Sequence, residues 1–420
     1  MRSQGTGGVM NDTAAQPLDG VRVIDLTRLL PGACCTLVLA DFGAEVVKVE
    51  DPRGGDLMRT LPPQVDGLSV YHRALNRNKR SITLDLRADE SGALLDRLLG
   101  SADVLIESFR PRTARRLRVS AADVLPRHPR LVHCSLTGFG QSGPYAERAA
   151  HDLNFVALAG LFEIDQPGAR RGPGLSRGAG RQSCETPHVP HLLVADIGSA
   201  WAAAAGILAA LFQRERTGSG SSVDIAIHDV AASWLTFPAA AAMLHGTDEP
   251  GHLPIDGDAA CYNVYATADG RHVALAAIEQ KFWRTFCERV GRPDFVAIQF
   301  ALSEQARLRE ETAAIFRSRS LADWLSMFAD AEVCLAPVNT IGEALADPHL
   351  ALRGAVTGDG RSMFVRSPIV FGHRGTSPRR DDERLPIEPA RPLGADTDDV
   401  FRSVGVDDAA LARLRSAGVV

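Results

Sequence analysis

The sequence predicts an α/β protein, with a large domain on a parallel, doubly wound sheet and a smaller α+β domain behind it. Three observations carry this. Through Gly140, short β-branched runs alternate with amphipathic stretches, the order that a parallel sheet with crossover helices requires. Beyond about Asp256 the texture changes to a hairpin followed by helices. At 420 residues the chain also exceeds what one compact core organises.

The elements follow in order. "VRVIDLT" from Val21 is a β-branched run and predicts a buried strand. "ACCTLVLADFG" reads as a helix closed by Gly43. "EVVKVED" and "RSITLDL" predict the second and third strands. "ESGALLDRLLGSA" is an amphipathic helix, "DVLIESF" a fourth strand, and "LVHCSLTGFG" a fifth that runs into a glycine turn. From about Phe155 to Val189 the Gly-, Arg- and Pro-rich stretch reads as a long connection. The Ala-rich run that follows predicts a helix ending near "RTGSGSS", and "VDIAIHDVAASWLTF" a further helix entered by a short strand. "CYNVYATADGRHVALAAIE" predicts two strands joined at "ADG". Helices follow, from "QKFWRTFCERVG" to "LADWLSMFADAEV". The expected organisation is a flexible tail over 1–16, a large domain over 17–225, a small α+β domain over 256–347, and a helical return to the large domain over 348–420.

Composition narrows the function. Apolar residues make up 45 % and charged residues 23 % of the chain, the balance of a soluble globular protein. Net charge is −5 with acid and base interspersed, which argues against nucleic acid as a partner. Basic residues cluster locally in "NRNKR" and "FRPRTARRLR", which suits a small polyanion or a solvated face. The seven cysteines include no Cys-x-x-Cys, which suggests a reducing, cytoplasmic setting. The first sixteen residues lack an apolar core, so a loose tail is expected rather than a signal peptide, and Met10 is a possible start. "IGSAWAAAAGILAALF" falls short of a membrane span and reads as a buried helix, so no membrane is expected as a partner.

Three motifs carry little. "TGSGSS" at Thr217 follows a helix, whereas a dinucleotide fingerprint follows a strand. "GQSGP" around Ser142 is not a nucleophile elbow. "SCETPHVPH" sets Cys184, His188 and His191 in one loop, but a proline-punctuated loop with solvated histidines is the simpler reading, so no metal is expected.

"PLDGVRVIDLTRLLPG", "LADFGAEVVKVEDPRGGD", "LNRNKRSITLDL", "DVLIESFRP", "SLTGFGQSGPY" and "ALARLRSAGVV" together resemble the class III CoA-transferase (CaiB/BaiF) family, which includes the α-methylacyl-CoA racemases. The resemblance runs from about Pro17 to the C-terminus. It implies a Rossmann-like large domain that binds an acyl-CoA, an interlocked homodimer whose partner's small domain closes the site, and no cofactor beyond the CoA of the substrate. It further implies that Asp196 in "VADIGS" is the nucleophile in a transferase or an acid/base in a racemase. "AAHDLNF" resembles the racemase histidine block, which assigns His151. "AIEQKF" resembles a third racemase block, which assigns Glu279, although transferases carry acidic residues nearby too. The glycine-rich loop of the formyl-CoA type has no counterpart before "DAACYNVY".

The chain also departs from the pattern. Leu192 stands where an asparagine would support the aspartate, "RPR" replaces "RPG" after the fourth strand, and "CETPHVPH" is an insert beside the acyl pocket.

The chemistry fits these residue types. Inverting a carbon α to a thioester needs a proton taken from one face and another returned to the opposite face. Two groups sharing one proton, His151 and Asp196, do this in either direction. Asp152 is expected as N-cap of a helix starting at "DLNFVALAGLF", whose backbone N–H groups would hold the enolate oxygen. Glu279 would fix the imidazole tautomer. Arg110, then Lys79 and Arg80, are the expected donors to the CoA phosphates. Each residue taken singly reads as a cap, a solvated side chain or a basic face; their joint placement is what points to a site. The reading is an acyl-CoA racemase acting on a 2-methyl-branched acyl-CoA. The alternatives are a CoA-transferase working through an aspartyl anhydride and a non-catalytic acyl-CoA-binding homologue.

Overall fold

The computed structural model describes residues 16–164, 189–245, 257–358, 363–371 and 386–420. The chain divides into two compact units: one from the N-terminal segment to Leu235 together with Thr357–Val420, the other chiefly Thr236–Val356.

The first unit holds six parallel strands, β1 (Arg22–Asp25), β2 (Glu45–Glu50), β3 (Lys79–Thr83), β4 (Val104–Glu107), β5 (Val132–Thr137) and β6 (Ser222–Ala226). Their spatial order is β3-β2-β1-β4-β5-β6, so the winding reverses between β1 and β4. Strands β4 and β5 are buried along their whole length, as expected of a parallel sheet covered on both faces. On one face lie α1 (Leu29–Asp41), α4 (Asp152–Leu158), α5 (Val194–Thr217) and α6 (Ile227–Ser233), around Val23, Val46, Ile106 and Cys134. On the other lie α2 (Ser91–Leu99), α3 (Pro111–Arg116), α10 (Thr397–Ser403) and α11 (Asp408–Ser416), around Ile24, Val47 and Leu105. The last residues complete this second core: Val419 and Val420 are buried in it, and the Asp85 N–H donates to the Val419 carbonyl at 2.8 Å.

Two features depart from the sequence reading. Helix α4 starts at Asp152, where "DLNFVALAGLF" predicts a helix, but continues to Leu158, past the Phe155 at which the connection was expected to begin. Helix α5 runs 24 residues and is long and apolar enough to span a membrane by length and composition; Ala200, Ala203, Ala204 and Ile207 instead pack it onto α1 and the sheet. Small side chains at that spacing let the two helices approach closely.

A buried polar belt closes the carboxyl edge of β1 and β2. Lys48 ion-pairs with Asp56 at 3.2 Å, both fully buried, and its ammonium donates to the Thr27 carbonyl at 3.0 Å. Asp56 in turn accepts the Leu29 and Met58 N–H groups at 3.1 and 3.0 Å. Leu29 has φ +61°, a left-handed conformation that a branched side chain seldom adopts, so the Asp56 bond holds strained backbone in place. Gly32 is needed beside it, because a Cβ there would lie 2.1 Å from the Thr27 side chain.

The second unit contains an antiparallel sheet of β7 (Tyr262–Ala266), β8 (His272–Ala276) and β9 (Leu335–Pro337), in the order β9-β8-β7. Helices α7 (Gln280–Arg289), α8 (Gln305–Phe316) and α9 (Leu321–Met327) accompany it. Its core is aromatic: Trp283 stacks on Phe286 at 5.3 Å, Phe286 on Phe316 at 5.4 Å, and Trp324 meets Phe316 edge-on at 5.1 Å. Both indoles donate to backbone carbonyls, Trp283 to Phe295 and Trp324 to Phe316. The "ADG" hairpin forms with Gly270 at φ +74°.

Asp56→Ala leaves Lys48 buried without its partner and should lower stability by about 3–5 kcal/mol. Urea unfolding measures this, and a loss under about 1 kcal/mol would show that the pair is not what holds the Leu29 turn.

Candidate active site

Two helix starts meet on one face of the first sheet. The glycine turn after β5 makes this possible. Gly138 has no room for a Cβ, which would fall 2.9 Å from Phe155 of α4, and Phe139 packs edge-on to the same ring at 5.3 Å. That contact seats α4, which packs against α5.

His151, not Asp152, is the N-cap of α4. Its backbone is extended (φ −127°), and its N–H donates to Asn154 Oδ1 at 3.0 Å. The Asn154 N–H turns back onto the His151 carbonyl at 2.8 Å, so that donor, expected for an enolate oxygen, is engaged within the turn. The imidazole is exposed. Asp152 occupies the first helical position and is buried. Its Oδ1 accepts the N–H of Asp196 at 2.9 Å. A carboxylate expected to cap its own helix thus caps the neighbouring one. Helix α5 has no side-chain cap at Leu193, and Asp152 supplies an acceptor at its first turn instead.

Asp196 sits in that first turn. Burial pushes its carboxyl up to about 7, and the Asp152 carboxylate adds to the shift. Near neutral pH it therefore exists in both protonation states, the condition for an acid/base that works in either direction. Leu192, where support for this aspartate was expected, is 64 % exposed.

The second feature is a cleft of about 200 Å³ at the carboxyl ends of β1, β2, β3 and β4, where the winding reverses. Such switch points are where open α/β sheets bind ligands. Thr27, Arg28, Asp51, Arg87, Phe109 and Arg116 contribute to its walls. The Arg28 guanidinium lies 5.7 Å from the centroid of the Phe109 ring.

The basic residues expected at the CoA phosphates lie elsewhere. Lys79 is no surface donor. It is buried, its ammonium bonds Ala33 O, Thr36 Oγ1 and Asn76 Oδ1 at 2.8, 2.8 and 3.1 Å, and burial lowers its pKa to about 8. The cause is strand alternation: Lys79 points to the α1 face, its neighbour Arg80 to the other. Arg80 pairs with Glu45 at 3.1 Å, and its Nε lies 3.8 Å from Asp396. Arg110 caps α3 in the open, 3.4 Å from the Glu147 carbonyl. Arg28, Arg87 and Arg116 line the cleft; none was among the expected phosphate donors, although Arg116 belongs to the basic cluster "FRPRTARRLR". The first two follow closely on strands β1 and β3, a positional signal that the basic clusters masked. Glu279 belongs to the second unit, where it is the exposed N-cap residue of α7 after strand β8. Cys184 and His188 lie outside the described residues.

The model of CoA-transferase family III matches residues 18–397. The chain is 31 % identical over 409 residues to the alpha-methylacyl-CoA racemase of Homo sapiens, spanning 96 % of this chain and 97 % of that one. It is 29 % identical over 416 residues to the succinyl-CoA:glutarate CoA-transferase of Homo sapiens, spanning 96 % and 90 %. A crystal structure of a CaiB/BaiF family protein from Brucella suis superposes with a TM-score of 0.75 at 28 % identity, spanning 93 % of this chain and all of that one.

The raised Asp196 carboxyl has a stability consequence. Between pH ~4 and ~7 the folded chain keeps a proton there that the unfolded chain has released, so stability falls as pH rises through that window. Asp196→Asn should remove this part of the decline. Asp152→Asn, which keeps an acceptor oxygen but not the charge, should lower the Asp196 pKa. Carboxyl carbon NMR titration follows both, and an unmoved Asp196 midpoint in Asp152→Asn would exclude the electrostatic coupling.

Proposed function

The chain belongs to CoA-transferase family III, and on that premise we propose that it inverts the α-carbon of a 2-methyl-branched acyl-CoA by passing a proton between His151 and Asp196. The nucleotide end of the thioester occupies the switch-point cleft, and the acyl end reaches the paired starts of α4 and α5. Neutral His151 takes the α-proton and becomes imidazolium, leaving an enolate at the thioester. Asp196, neutral, returns a proton to the opposite face and becomes a carboxylate. The two groups have exchanged protonation states, which is the arrangement the other enantiomer requires. No cofactor beyond the CoA of the substrate enters.

One observation carries this reading: Asp196 is tied through its own N–H to the residue next to His151 and has a carboxyl that titrates near neutrality. A group shared between acid and base duty needs that midpoint.

A second reading has its own support. Transferase relatives span the same length at nearly the same identity as the racemases. In that reaction Asp196 as a carboxylate attacks the thioester carbonyl, giving an acyl-aspartyl anhydride and free CoA thiolate. The CoA thiolate attacks the aspartyl carbonyl and expels the donor carboxylate, leaving an aspartyl-CoA thioester; the acceptor carboxylate attacks that thioester and expels the thiolate, which then attacks the acceptor's acyl carbonyl, giving acceptor-CoA and free Asp196 carboxylate. The proton-transfer reading is preferred because it gives His151, in the block that resembles the racemase one, a role beside Asp196, and because a raised carboxyl is less ready to act as a nucleophile.

Incubation with a 2-methylacyl-CoA in deuterated water, with and without an acceptor acid, separates the two. Deuterium entering the α-position without acceptor is the expected result. Background labelling with CoA moving to the acid would establish the transferase instead. His151→Ala should slow exchange by about 10²–10⁴-fold; undiminished exchange in that variant removes His151 from the reaction.

A further inference from the structure

Glu107, the last residue of β4, is a buried carboxyl that the proposed reaction does not use. One oxygen, Oε2, accepts the Phe109 N–H at 2.7 Å; the other, Oε1, is buried with no hydrogen-bond partner. In the parallel register Glu107 stands beside Ser135 of β5, and Ser135 beside Asp224 of β6, so the three side chains form one row across the sheet. His133 lies on the same face, two residues before Ser135, and is anchored to the Val119 carbonyl at 2.8 Å.

The Phe109 bond matters because it fixes the turn from β4 into α3. That turn runs from Ser108 to Arg110, and Phe109 forms part of the cleft wall. It is pinned at two points. From below, Glu107 holds the Phe109 N–H. From the β1 side, the Arg28 N–H donates to Ser108 Oγ at 3.1 Å. With both in place, the Arg28 guanidinium rests near the Phe109 ring, which orients a cation over the cleft.

We propose that Glu107 is a positioning residue for the acyl-CoA cleft, setting CoA affinity through Phe109 and Arg28 without touching the ligand. The proposal rests on the acyl-CoA reading above. Burial, with the Asp224 charge adding to it, pushes the Glu107 carboxyl up to about 7, although the Ser135 hydroxyl and the Phe109 N–H favour the charged form. Glutamine is therefore a fair stand-in: it keeps an acceptor for Phe109 and carries no charge. Leucine keeps much of the volume and removes the acceptor.

The test measures CoA binding by calorimetry, alongside KM and kcat for exchange. Glu107→Leu should raise Kd and KM about five- to tenfold, the equivalent of one hydrogen bond, with kcat within about twofold. Glu107→Gln should restore affinity to within about twofold of the parent protein. Ser135→Ala, which loosens the carboxyl, should weaken binding in the same direction and decides the matter if Glu107→Leu does not fold. Unchanged Kd in Glu107→Leu or, failing that variant, in Ser135→Ala overturns the proposal, as does a kcat that falls as far as KM rises. A parent protein that binds no CoA at all would instead overturn the acyl-CoA reading itself.

Discussion

The carboxyl edge of the first sheet depends on one buried ion pair. Lys48 and Asp56 are both removed from water, and neither tolerates that alone. Together they tie the ends of β1 and β2 to the start of α1. The ammonium takes the Thr27 carbonyl just beyond β1, the carboxylate takes the Leu29 and Met58 N–H groups, and Glu50 holds the Asp56 N–H while gripping Arg59. Burial would lower the Lys48 pKa, but Asp25, Asp56 and Glu50 outweigh it and raise it. Because the pair stays charged, the strained Leu29 turn stays closed, and Arg28 is delivered to the cleft on the residue before it.

Groups are shared in the same way where α4 meets α5. A carboxylate at a helix start ordinarily serves its own first turn. Asp152 serves the next helix, while Asn154 closes the turn of α4 and the His151 ring faces outward. One buried charge then performs two tasks: it satisfies a backbone donor of α5 and raises the proton affinity of Asp196. The packing that joins the helices, Gly138 against Phe155, thus also sets an electrostatic property of the site.

The strands and most helices were legible because a doubly wound sheet prints its period plainly: "VRVIDLT", "EVVKVED" and "DVLIESF" have few other readings. Strand β6 was visible only as the entrance to a helix, and β9, at three residues, is too short to show a period. The placement of His151 and Asp196 at helix starts was also readable. What was not readable was direction. "NRNKR" looks like a basic patch, yet alternation along β3 sends Lys79 into the core, and nothing in the five letters says which neighbour goes inward. Asp152 failed for a related reason: a cap motif specifies that an N–H will be satisfied, not whose. Arg87 and Arg116 become cleft residues only once the order of strands brings their loops together.

Val419 and Val420 lie in the same core as Ile24 and Val47, with the whole second unit between them in the chain. Synthesis runs in that order. After Ala226 completes the sheet, α10 and α11 emerge only on the order of ten to thirty seconds later, at ~5–20 residues per second. For that interval the face holding Ile82 and Leu84 is covered by α2 and α3 but not by α10 and α11, while the second unit is already free to fold. The nascent chain therefore passes through a stage in which the older half is unfinished and the younger half complete, and the first core closes only when the last helices come down on it.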